Sequence, residues 1–207
     1  MTAVPLSPAR LPLRSALTDA GTLVGRCIRL TRRDADSLVM AIVLPLVLMT
    51  LFVYVFGGAI ATGTDYVDYV VPGIVLLCSG YGAASTAMAV AADMASGMTD
   101  RLRSLPIAGW SVLAGHVVAS VVRNALSTAV VVAAAVGMGF RPDATAVEWA
   151  ATAGLLLLYV LALSWLAAGL GALAASVEAA SALSFAMLFL PYPVSYTHLT
   201  LPTNREV

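Results

Sequence analysis

DMASGMTDRLRSLPIAGW, residues 93–110, is the longest polar interruption in a chain that is otherwise mostly apolar. It holds Asp93, Asp100, Arg101 and Arg103, followed by Pro106 and Gly109, and long apolar runs flank it on both sides. Hydrocarbon leaves exposed charges and irregular backbone without partners, at a high cost in free energy. A charged segment with turn residues must therefore leave the lipid. This places membrane-crossing helices before and after it, and makes the segment a loop carrying a short surface helix. Gly97 permits a tight turn. Leu102 and Leu105 can face lipid or a cleft while Arg101 and Arg103 stay polar. Pro106 ends the helical turn.

Composition agrees with that reading. Of the 207 residues, 60% are hydrophobic and 11% charged, against roughly 45–50% and 25% in ordinary soluble domains. So little polar surface cannot cover a soluble globule, which makes this an all-α polytopic membrane bundle. The formal net charge is zero, so no polyanion partner is implied and no nucleic acid is expected. Every one of the 11 basic residues is an arginine. Cys27 and Cys78 show no metal-ligand spacing and suggest no disulfide framework. Residues 1–37 lack an early apolar core with a cleavage site, so the first span is expected to act as its own insertion signal.

Working outward, residues 1–12 contain Pro5, Pro8 and Pro12 and are expected to be disordered. From Leu13 to Arg33 the pattern has helical period. Leu13, Leu17, Ala20, Val24, Cys27, Ile28 and Thr31 share one face, and Arg14, Arg26, Arg29, Arg32 and Arg33 share the other. This predicts an interfacial amphipathic helix with its arginines toward phosphates and water; a soluble helix packed on a partner is the alternative. Residues 34–37 can cap the next helix. Spans are expected at about 38–60, with a modest kink at Pro45, then at 67–92, 111–140 and 149–175. An incomplete fifth segment covers 179–191. The second half of the 67–92 span is rich in small residues (Ser79, Gly80, Gly82, Ala83, Ala84, Ser85, Ala87), which let helices approach closely in lipid. That face is expected to pack inside the protein.

Arginine placement orients the bundle. Eight arginines lie in the N-terminal segment and the 93–110 loop, and Arg141 alone lies in the two opposite loops. The positive-inside rule then puts the N-terminus, the 93–110 loop and Glu178 in the cytoplasm. The fifth apolar segment stops after about thirteen residues, short of the roughly twenty a span needs. From Pro191 the chain reads PYPVSYTHLTLPTNREV, whose end resembles translated sequencing-adapter read-through. Residues 193–207 are therefore read as a non-native tail, and Tyr196, His198 and Arg205 are given no role. The genuine protein is expected to complete five segments into six.

Chemistry is sparse. The chain has no HExxH, CxxC or Walker-type GxxxxGK[ST], and no paired carboxylates within a span. No catalytic residue, metal site or cofactor is expected. His116 reads as a snorkelling or packed side chain. Arg123 and Asn124 lie near the middle of the third span, where an arginine costs about 2.5–3.5 kcal/mol even on lenient insertion scales. They either line a substrate path or serve packing, with Arg123 making a structural hydrogen bond to Asn124 or to a backbone carbonyl.

The order of motifs resembles the type-2 ABC exporter permeases, of the daunorubicin-resistance and polysaccharide-export kind. The match runs over about residues 13–192. It comprises Asp93, Gly97, Asp100-Arg101-Leu102-Arg103, Leu105-Pro106 and Trp110, with the Arg-rich first helix, Gly139-Phe140-Arg141-Pro142 and Ser176-Val177-Glu178 in sequence around them. Aspartate stands at 93 and 100 where glutamate is usual, which keeps the acid and shortens its reach. The resemblance implies a six-span permease half in a bacterial inner membrane, paired with a second copy and driven by a separate ATP-binding cassette subunit. It assigns coupling to that subunit to Asp93, Gly97, Asp100, Arg101, Leu102, Arg103, Leu105, Pro106 and Glu178. Its cargo would be a hydrophobic drug, lipid or lipid-linked glycan. The alternatives are a membrane scaffold or assembly protein, and an intramembrane lipid-modifying enzyme, which would need acids or histidines converging at one depth.

Overall fold

The computed structural model describes residues 13–57, 66–103, 109–142 and 144–189; within its helices the side chains of 13–17, 100, 103, 109 and 185–189 are not described. Residues 1–12, Leu105, Pro106 and the 193–207 tail lie outside the described residues. Among the described residues seven α-helices follow in order: α1 Leu13–Arg33, α2 Ala35–Leu51, α3 Tyr66–Ala95, α4 Met98–Arg103, α5 Gly109–Gly137, α6 Ala146–Leu173 and α7 Val177–Phe189. No strand occurs among the described residues. Four stretches of the described residues are long and apolar enough to cross a membrane: Ala35–Phe56, Tyr66–Ala95, Trp110–Gly137 and Ala146–Leu173. The fifth apolar segment, α7, has 13 residues.

Local chemistry sets the ends of the helices. Asp34 separates α1 from α2 and accepts a hydrogen bond from the Ser37 backbone N–H, satisfying one of the first-turn donors. α2 continues through Pro45, whose ring is buried, and ends in a π-helical turn at Phe52–Phe56. α6 opens with a capping box in which Thr145 and Glu148 bond reciprocally, a device that satisfies two otherwise orphaned donors. Gly97, at φ +69°, turns the chain from α3 into α4. A left-handed backbone there is open to glycine and strained for other L-residues.

α3 is the central helix and packs against α2, α5, α6 and α7. Its small residues lie on the buried face, among them Ser79, Gly80, Gly82, Ala83, Ser85 and Ala87. With no hydrophobic drive between helices in lipid, contact rests on close approach and interhelical hydrogen bonds. Two glycines show how close that approach is. A Cβ on Gly171 of α6 would collide with the Ala87 carbonyl of α3, and one on Gly82 would collide with the Asn124 amide of α5. Hydroxyls complete the contacts. Ser164 of α6 donates to Ser120 Oγ of α5 at 3.0 Å, Ser184 of α7 lies 3.3 Å from the Ala84 carbonyl of α3, and Ser127 of α5 donates to the Ala41 carbonyl of α2. Away from these contacts, α2 and α6 present Val39, Val47, Leu155, Leu158 and Trp165 outward, as a lipid-facing surface would.

α1 is more than a surface raft. It packs along the start of α5, where Leu23 joins Leu102 and Val112 in one buried cluster and Cys27 is buried beside Gly115. Leu23 was not on the face expected from periodicity. The inward stripe is shifted because the protein surface of α4 and α5 covers it.

Candidate functional site

The site is built at the end of the bundle where α1, α3, α4 and α5 meet. α3 runs on to Ala95, so Asp93 belongs to its last turn, whereas the sequence suggested a loop. From there its carboxylate points back into the bundle. Arg26 of α1 donates to Asp93 Oδ2 from Nη1 at 2.8 Å and to Oδ1 from Nη2 at 3.2 Å. His116 of α5 places Nε2 3.1 Å from the same Oδ2. The two-pronged geometry is the strong form of an arginine–carboxylate pair. The carboxylate reinforces the charge on Arg26, raising its already high pKa. Three helices are thus joined through one acid. Burial pushes the neighbouring Cys27 thiol up.

Beyond Gly97, α4 carries Asp100, Arg101, Leu102 and Arg103. Leu102 packs against Leu23 and Val112, with Met98 at the edge of the cluster. It therefore seats α4 on protein and leaves Arg101 on the exposed face. The Arg101 backbone N–H bonds to the Gly97 carbonyl at 3.2 Å. Glu178 is exposed in the first turn of α7. Its own backbone N–H and the Ser176 hydroxyl hold its carboxyl below the usual range. Val177 lines the same cleft as Asp93, which puts Glu178 at the same end of the bundle as α4.

Deeper in, Arg123 of α5 reaches across to α3. Its Nη2 donates to the Gly82 carbonyl at 3.1 Å and to Thr86 Oγ1 at 3.3 Å, while its Nε is buried without a hydrogen-bond partner among the described residues. Asn124, next along the helix, faces elsewhere and donates to the Ser120 carbonyl and hydroxyl at 3.1 and 3.4 Å. The two residues were paired in the sequence reading; the structure gives them separate duties. Asn124 is a packing group wedged against Gly82, and Arg123 borders an open cleft.

Sequence reasoning missed the roles of Arg26 and His116. The available signal was an acid at a span end, which needs a cation close by, and the single histidine of the following span. Among the described residues no group of three or more His, Cys, Asp or Glu side chains is placed to hold a metal.

Comparison with known proteins fits an Arg-rich first helix, a charged turn after the second span and a polar clamp between them. The ABC-2 type transporter family model matches residues 18–193. The chain belongs to the ABC-2 type transporter family. A daunorubicin resistance ABC transporter permease protein from Streptomyces coeruleorubidus is 27% identical over 186 residues, which is 89% of this chain and 66% of that protein. The chain thus spans just under two thirds of the length of that ABC-2 relative. No solved structure matches the chain.

Proposed function

We propose that this ABC-2 protein is the transmembrane subunit of an ABC exporter. In this reading it is a multi-pass protein of a bacterial inner membrane with its N-terminus in the cytoplasm. It works beside a second permease copy and is driven by a separate ATP-binding subunit. It moves a hydrophobic or amphiphilic molecule such as a drug, a lipid or a lipid-linked glycan. The observation that supports this most is the family match across residues 18–193, taken with the Asp93 clamp beside α4. A push on α4 would reach α1 through Leu102 and Leu23. It would reach α3 through the Gly97 turn and α5 through Val112 and His116. The arginines of α4 would be the contact with the ATP-binding subunit, and Glu178 would flank it.

The test is the Arg101→Glu, Arg103→Glu double variant, co-expressed with the candidate ATP-binding subunit. Loss of partner pull-down and of permease-stimulated ATPase is expected. Unchanged pull-down and unchanged ATPase would remove the docking role.

A further inference from the structure

A cleft of about 660 Å³ opens between α1, α2, α3 and α5 at the Asp93 end of the bundle. Its lining sorts by chemistry. Arg123, Thr86, Ser85 and Ser120 form a polar wall. Asp34 and Asp36, at the α1–α2 junction, form an acidic rim. Leu30, Met40 and Met88 supply apolar surface, and Met40 belongs to the outward face of α2, being 56% exposed. Asp93 and His116 also border the cleft, but they are engaged with each other and with Arg26. Among the described lining residues Arg123 is the cation left to a ligand, and Asp34 and Asp36 are the anions. Asp34 and Arg123 line the same cleft.

An arginine has five N–H donors. Both hydrogen bonds that Arg123 makes to described residues come from Nη2, and the buried Nε has no partner among them. A guanidinium kept near the middle of a span with donors unspent is costly unless something accepts from it. A purely anionic ligand would satisfy Arg123 but meet repulsion from Asp34 and Asp36. A purely cationic one would suit the rim and leave Arg123 unsatisfied. A headgroup carrying both signs fits both walls, with its tails running out over Met40 and Met88.

We infer that this cleft binds a zwitterionic phospholipid headgroup, with phosphate oxygens accepting from Arg123 and a primary ammonium lying against Asp34 and Asp36. The inference rests on the transport reading only in making that lipid the transported molecule or a model of it; the binding itself does not require transport.

The test uses the full chain in nanodiscs containing equal amounts of a phosphatidylethanolamine and a phosphatidylglycerol of the same tails. Native mass spectrometry then counts the lipids retained after release. The wild type is expected to retain phosphatidylethanolamine over phosphatidylglycerol. Arg123→Gln should lower that retention about tenfold, the scale of one charge-assisted contact, and Arg123→Lys should restore part of it. Asp34→Asn with Asp36→Asn preserves the helix cap, because asparagine caps as well as aspartate. That pair should reverse the preference toward phosphatidylglycerol. If Arg123→Gln does not fold, this reversal carries the test alone. No headgroup preference in the wild type, or a preference unmoved by the aspartate pair, overturns the inference. No ATP-binding partner is in this assay, so its failure would leave partner docking intact. A failed docking experiment would likewise leave this lipid readout unchanged.

Discussion

Arg26 and Asp93, separated by 67 positions in the chain, meet through two hydrogen bonds of 2.8 and 3.2 Å. That contact fastens α1 to the end of α3. Both side chains keep some solvent access, 25% for Arg26 and 18% for Asp93, so the pair is worth less than a fully buried one. Removing one partner strands the other and should lower stability by about 1–2 kcal/mol. Arg26→Gln and Asp93→Asn, singly and together, should give a double-mutant cycle with a coupling of at least about 0.5 kcal/mol. Thermal unfolding in detergent checks this, and strict additivity would show the contact to be idle.

Cys27 reports whether α1 is seated. The residue is 4% exposed, and burial raises its thiol pKa, so less thiolate is present at a given pH than in a free cysteine, whose pKa is about 8.5. In a Cys78→Ala background, maleimide labelling should be slow at neutral pH and should rise only at higher pH than for a free thiol. Asp93→Asn should speed labelling several-fold by loosening α1. Equal rates in both proteins would mean that α1 stays in place without the clamp.

Glycines separate into tight and open sites. Gly82→Ala drives a methyl into Asn124, and overpacking of this kind costs about 1–3 kcal/mol. Gly21 of α1 has nothing within 4 Å of an added Cβ, so Gly21→Ala should be neutral or gain up to about 1 kcal/mol from helix propensity. Melting temperatures of the two variants should move in opposite directions or differ by several degrees.

Leu102→Ala should loosen α4 without unfolding the bundle. Leu102 is 9% exposed and shares its cluster with Leu23 and Val112, so truncation removes about 2–3 kcal/mol of local packing. Hydrogen exchange should accelerate in α4 and at the start of α5 and stay unchanged in α6. Uniform acceleration would place Leu102 in the global core instead.

Much of the fold was legible because hydropathy alone separates spans from turns. The starts of α2, α3, α5 and α6 fall one to three residues before those expected, at Ala35, Tyr66, Gly109 and Ala146. The difference arises because caps and first turns are polar and do not register in an apolar count. The packed face of α3 was also readable, since small side chains at the interior are what lipid-embedded packing requires. The clamp was not readable. Arg26 shares a helical face with Arg29 and Arg33, and nothing local distinguishes the one that turns inward. Its partner is fixed only when α3 brings Asp93 alongside. The cleft beside Arg123 was hidden for the same reason, because its acidic rim comes from the α1–α2 junction, nearly ninety positions away in the chain.

The length of α3 gives the Asp93 contact mechanical reach. Thirty residues at about 1.5 Å each make a rod of roughly 45 Å. If such a rod is tilted by only about 5° at the Asp93 end, its far end sweeps roughly 4 Å. Few compressible side chains lie between α3 and α6 to absorb the swing. A nudge on one carboxylate at one membrane face would then be felt as a displacement of atomic size at the other.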